Sequence, residues 1–111
     1  MKTLIAIALT LGSAFAQAST YTGTILTLQS LASPTTTGNI HIGVQTSGTN
    51  ACVGSSYPNW YSIDLPIASV GPTWTAILLA AITAGKAVTV VGTGTCDQNG
   101  SEIVFSVNAL P

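Results

Sequence analysis

The sequence predicts a small, mainly β domain with one helix, preceded by an export signal. Three observations carry that expectation. Apolar and polar residues alternate with a period of two through most of the chain. The period changes to 3.6 once, between Gly71 and Gly85. The first eighteen residues have the three-part layout of a signal peptide.

The signal reads in order. Met1-Lys2-Thr3 supplies a positive start, and Leu4 to Leu11 is an apolar run too short to span a bilayer. Small residues follow, and both Ala14-Phe15-Ala16 and Ala16-Gln17-Ala18 fit the A-x-A cleavage pattern. Cleavage is therefore expected after Ala16 or Ala18. Residues 1–18 are assigned to the signal peptide and residues 19–111 to a single domain. No lipobox cysteine stands near the cut.

Tyr21 to Leu28, rich in Thr and aliphatics, reads as the first strand. Ser33 to Gly38 is a loop cluster. Asn39 to Thr46 alternates, with Ile40, Ile42 and Val44 on one face and His41, Gly43 and Gln45 on the other. A turn at Ser47 to Asn50, Cys52 and a loop at Tyr57-Pro58-Asn59 come next. Trp60 to Leu65 alternates again, with Tyr61, Ile63 and Leu65 facing inward.

The helix is expected over Pro72 to Ala84, about 20 Å long. Proline suits its first position, where the missing N–H costs nothing. Trp74, Ile77, Leu78, Ala81 and Ile82 form one helical stripe. Gly85 stops the helix as a left-handed C′ residue. Lys86 lies just beyond, at the negative end of the dipole. A membrane-spanning reading of Trp74 to Val91 is interrupted by Gly85-Lys86. Ala87 to Gly92 is the fourth strand. Thr93 to Gly100 is a loop holding Cys96, Asp97 and the Asn99-Gly100 turn signal. Glu102 to Val107 is the fifth strand, with Ile103, Phe105 and Val107 alternating.

The resulting order, β-β-β-α-β-β, is that of an OB-fold-like five-stranded barrel plugged by its helix. A small sandwich or a split α+β sheet would give a similar order. Cys52 and Cys96 are the two cysteines of the chain, and export places them where a pair is expected to bridge. The closed loop would be worth roughly 4 kcal/mol on chain-entropy grounds. Two free thiols or a metal site are the alternatives, but a metal would need more ligands than two cysteines and His41, the single histidine, can offer. No cofactor is expected.

Charge is scarce. Beyond the signal the ionisable side chains of the charged residues are Lys86, Asp64, Asp97 and Glu102, with His41 beside them and no arginine. No basic patch for nucleic-acid phosphates or anionic lipid can be assembled. Recognition must work through shape and neutral hydrogen bonds, and it should be insensitive to salt.

Catalytic signatures are missing. There is no G-x-S-x-G elbow, and Gly92-Thr93-Gly94 lacks the lysine and helix of a phosphate loop. His41 is expected to be a solvent-exposed residue on the outer face of its strand. Asp97 and Glu102 flank one turn, where charge normally keeps a loop solvated. Asn99-Gly100-Ser101 fits a glycosylation sequon but reads as a turn. No catalytic residue is assigned. The best binding candidate is the aromatic loop of Tyr57, Asn59, Trp60 and Tyr61, because rings stack on sugar C–H faces while amides bond the hydroxyls. The competing reading is that these rings only cover one end of the barrel. On the helix, the face opposite the core stripe carries Ala76, Leu79, Ala80 and Thr83, a smooth surface that suits a neighbouring subunit.

At Ala51-Cys52, at Ile82-Thr83-Ala84-Gly85-Lys86-Ala87-Val88-Thr89-Val90 and at Cys96, the chain resembles small secreted bacterial proteins related to the B subunits of subtilase-cytotoxin-type toxins. The resemblance covers most of the mature chain in its order of elements and is residue-level only in those segments. It implies a disulfide-closed OB-fold, a pentameric ring and glycan binding. None of that family's sugar-binding positions maps onto this chain, which also has no second, C-terminal cysteine pair. The expectation is therefore a secreted or periplasmic, non-catalytic binding or assembly module, a homo-oligomer with a glycan or protein ligand and without membrane insertion. The alternative is a monomeric exported structural or inhibitor protein acting through Ser30 to Gly38 or Thr93 to Gly100.

Overall fold

The computed structural model describes residues 18–32, 40–65 and 70–111. The expected signal peptide lies outside the described residues except for Ala18, and so does the loop cluster from Ser33 to Gly38.

Six strands and one helix make up the described chain: β1 (Thr20–Gly23), β2 (Thr27–Ala32), β3 (Ile40–Gln45), β4 (Trp60–Leu65), α1 (Val70–Ala84), β5 (Val88–Cys96) and β6 (Glu102–Ala109). They form one sheet in the order β1-β5-β6-β4-β3-β2. Neighbours are antiparallel except β4 and β6, which run parallel.

The count differs from the expected five because the first strand breaks. At Thr24-Ile25-Leu26 the chain leaves the ladder, and Ile25 turns into the core at 5% exposure. β1 then pairs with β5 and β2 with β3, at opposite ends of the sheet. A flat sheet could not hold this arrangement. Five strand spacings of about 4.8 Å would separate β1 from β2 by about 24 Å. The four steps from Gly23 to Thr27 reach at most about 14 Å. The sheet must therefore curl, although β1 and β2 are not paired and it stays open.

The inner side of the curl carries Ile42, Val44, Tyr61, Ile63, Val88 and Val90, all buried, as the alternation predicts. α1 covers them. Leu78 and Ala81 are buried, and Trp74, Ile77 and Ile82 pack partly buried against the same cluster. The helix ends as its glycine requires. Gly85 has φ +67°, its N–H donates to the Ile82 carbonyl, and Lys86 N–H donates to the Ala81 carbonyl, closing a Schellman motif. Thr75 and Thr83 spend their hydroxyls on carbonyls one turn back, Gly71 and Leu79, so they add no polar surface demand.

β6 departs from the expected alternation. Glu102, Val104 and Val107 are buried while Phe105 is 65% exposed. A β-bulge explains it: Val91 faces Ser106 but Gly92 faces Val104, so Phe105 is the extra residue and is pushed outward. Cys52 and Cys96 form a disulfide that ties the loop after β3 to the end of β5, with Cα atoms 5.8 Å apart. None of the described helices is long and apolar enough to cross a membrane.

Candidate functional site

Register assembles a groove on the outer face of the sheet. Gln29 on β2 faces Gly43 on β3, Leu31 faces His41, and Trp60 on β4 faces Gln45. These positions share one face because side chains alternate. Gly43 leaves a gap that the Trp60 ring fills: a Cβ there would sit 3.0 Å from Trp60 Cζ3. The indole thus lies against the β3 backbone. Gln29, Leu31 and His41 continue the floor, Tyr57 stands at one wall, and Asn99 and Ser101 form the other. The groove encloses about 290 Å³.

Both walls are held by their loops. The Ser55 hydroxyl donates to the Gly100 carbonyl at 2.7 Å and accepts the Tyr57 N–H at 3.1 Å, linking the two rims. Asp97 Oδ1 accepts the N–H groups of Asn99 and Ser101, each at 2.9 Å, and fixes the turn that presents Asn99. Asn50 Nδ2 donates to the Trp60 carbonyl at 2.6 Å, and Asn50 Oδ1 accepts the Cys52 N–H at 2.8 Å. The disulfide clamps the same two loops together. Loops tied together by these bonds are pre-organised, which lowers the ordering cost of binding.

His41 corrects the sequence expectation. It lies on the predicted face, but it is 5% exposed, because the Asp97 loop folds over it. Its Nδ1 is 3.9 Å from Asp64 Oδ1 and its Nε2 is 3.8 Å from Asp97 Oδ2. A second recess of about 270 Å³ opens on its far side, lined by Ser62, Asp64, Asp97, Gln98 and Ile103. The imidazole therefore divides two adjoining hollows and faces a carboxylate on each side.

The four predicted aromatic-loop residues separate. Tyr57 and Trp60 line the groove. Asn59 turns its amide toward the Thr46 carbonyl at 3.4 Å. Tyr61 points to the opposite side of the sheet, into the core at 1% exposure, as neighbours on a strand must. Sequence reasoning missed Gln29, Leu31, His41, Asn99 and Ser101. Extending the alternation of His41 and Gly43 across to β2 and β4 would have found the first three. On the helix, Ala76, Leu79, Ala80 and Thr83 are all exposed, Leu79 at 58%.

Glu102 also corrects an expectation: its side chain is fully buried rather than solvated at a turn. Oε1 accepts the Ser19 hydroxyl at 2.6 Å and the Ala51 N–H at 2.7 Å. Oε2 accepts the Ser19 N–H at 3.1 Å and the Gly94 N–H at 3.0 Å. Ser19 Oγ also lies 2.6 Å from the Tyr61 hydroxyl. Since the single Ser19 hydroxyl proton goes to the carboxylate, Tyr61 is the donor to Ser19. Burial, chiefly, raises the Tyr61 pKa above its ordinary value; the Ser19 hydrogen bond opposes this and the Glu102 charge adds to it.

Among the described residues no group of three or more His, Cys, Asp or Glu side chains could hold a metal ion. No family model, no curated protein and no solved structure matches this chain.

Proposed function

We propose that the protein is an exported, non-catalytic binding module whose outer-face groove takes a neutral glycan. The observation that carries this reading is the Trp60 ring seated on Gly43 with Tyr57, Gln29 and Asn99 around it. An apolar ring with amides at its margin matches a sugar, which offers C–H faces and hydroxyl edges. The lack of cations near the groove fits an uncharged ligand.

The same reading takes the domain as an OB-like barrel. If β1 and β2 are halves of one bent strand, that strand lies beside β5 at one end of the sheet and β3 at the other, which is how a five-stranded barrel shuts. Its ligand face would be the side of barrel strands two and three, here β3 and β4, where His41, Gly43 and Trp60 line the groove. The exposed helix face of Ala76, Leu79, Ala80 and Thr83 then serves as the contact with a second copy, in line with the resemblance to ring-forming toxin B subunits.

The test is a glycan array probed with the oxidised mature protein, with Trp60→Ala as control. Binding of a neutral glycan that survives added salt and is lost in the folded W60A protein supports the reading. Silence across the array, or equal binding by W60A, overturns it. Light scattering on the same sample reads the oligomer: a discrete multimer supports the helix-face contact and a monomer removes it.

A further inference from the structure

We infer that Ser19 is the first residue of the mature chain and that its α-ammonium is the counter-charge of the buried Glu102 carboxylate. The inference rests on the export reading of residues 1–18 and decides between the two cleavage points that the sequence leaves open.

The argument begins with an unbalanced charge. Glu102 is fully buried. Among the described residues Lys86 is the one side-chain cation, and it is exposed beyond the C-terminal end of α1, beside Ala84 and Ala87. A carboxylate without water or a counter-ion is costly even when hydrogen-bonded. The four donors on Glu102 are neutral as long as Ser19 N belongs to a peptide bond.

The site is nevertheless built around the Ser19 nitrogen. Ser19 is held by its other polar groups: its carbonyl accepts the Gly92 N–H at 2.9 Å, and its hydroxyl donates to Glu102 Oε1. These contacts place the nitrogen 3.1 Å from Oε2. Gly92 makes room for the carboxylate, since a Cβ there would stand 1.8 Å from Oε2. Ala18, the residue before, is exposed.

Cleavage after Ala18 supplies the missing charge. In that step, catalysed by a secretory signal peptidase, the oxygen of water joins the Ala18 carbonyl carbon and the C–N bond to Ser19 breaks. Both protons of the water pass to the Ser19 nitrogen, which becomes an ammonium, and Ala18 departs as a carboxylate. In the folded mature chain the ammonium then occupies the position from which Ser19 N donates to Oε2, and an ion pair stands in place of the neutral contact. Cleavage after Ala16 would leave Gln17 and Ala18 in place and Ser19 N as a neutral amide.

The experiment has two arms. The full chain is expressed in an exporting bacterial host, and the exported, oxidised protein is read by N-terminal sequencing and intact mass. A chain beginning at Ser19 is expected. A chain beginning at Gln17 overturns the inference alone, whereas a chain that keeps residues 1–18 overturns the export reading as well. In the second arm, the protein beginning at Ser19 is compared with the same protein carrying Gln17-Ala18 in front. Restoring the two residues should lower Tm by roughly 4–8 °C, the shift expected for about 1 kcal/mol in a domain of this size. In Glu102→Gln the two forms should melt together. Equal Tm values in the wild-type pair overturn the inference, and this comparison stands even if E102Q fails to fold.

Discussion

Tyr61 and Glu102 are paired across the parallel β4–β6 contact, and the hydroxyl of Ser19 lies 2.6 Å from each. One strand pairing thus brings a phenol and a carboxylate onto the residue just before β1. The order of donation runs from Tyr61 to Ser19 to Glu102, and burial, chiefly, holds the phenol in its neutral form.

That form sets an alkaline limit. Burial raises the Tyr61 pKa above the ordinary value of 10.0, and the nearby Glu102 charge adds to the rise. The folded chain therefore keeps a proton that the unfolded chain releases. The associated stability is fully present below about pH 10 and is lost as pH climbs through the folded value. Denaturant titrations across this range should show stability falling above about pH 10, and Tyr61→Phe should flatten that slope. At neutral pH the variant should cost about 0.5–1.5 kcal/mol for the lost hydrogen bond.

Gly92→Ala should be among the most damaging single changes. The new methyl would meet Glu102 Oε2 at 1.8 Å and Cδ at 2.3 Å. Glu102 cannot step aside without releasing donors from Ser19, Ala51 and Gly94. We expect a loss of about 3 kcal/mol or more by chemical denaturation. Gly54→Ala, where φ is +88° but no atom lies within 4 Å, should cost less.

In the groove, Gly43→Ala tests the seat of the indole without removing it. The methyl would press on Trp60 at 3.0 Å and tilt the ring away from β3. Binding to any glycan found on the array should weaken by more than tenfold, while the melting transition moves by only a few degrees. Trp60→Ala should abolish binding. If it unfolds the domain instead, the ring belongs to the fold rather than to the ligand.

Asp97→Ala should loosen one wall. Asp97 Oδ1 holds the N–H groups of Asn99 and Ser101, and hydrogen bonds to a charged group are worth about 1.5–3 kcal/mol net. Amide hydrogen exchange should accelerate at Asn99 and Ser101 and stay unchanged in β3 and β4. The indole seat would be intact, so a drop in glycan affinity would assign the rim a direct part in recognition.

Much of this fold is legible from period alone. The α1 stripe and the Gly85 stop are local, and the structure places Leu78 and Ala81 in the core and Gly85 at φ +67°. The alternation in β3 and β4 is also local, and it correctly separates Val44 from His41 and Ile63 from Trp60. What failed was non-local. Phe105 is expelled by a bulge that depends on how β6 meets β5. His41 is on the expected face but buried, because a loop more than fifty residues later closes on it. Glu102 looks like a turn residue until donors from Ser19 and Ala51, 83 and 51 positions away, converge on it. The aromatic run from Tyr57 to Tyr61 suggested one cluster, yet strand geometry sends Trp60 and Tyr61 to opposite sides of the sheet.

The Glu102 carboxylate gathers the residue before β1, the residue before Cys52 and a residue two before Cys96. Under the proposed cleavage after Ala18, this arrangement would give maturation a timetable. With such a leader attached and the thiols reduced, the domain would lack both its counter-charge and its covalent clasp, and a chain short of both would be easier to keep unfolded for transport. Removal of that leader and oxidation of the cysteines would then act on the same few ångströms of structure, and the domain would reach full strength only after both.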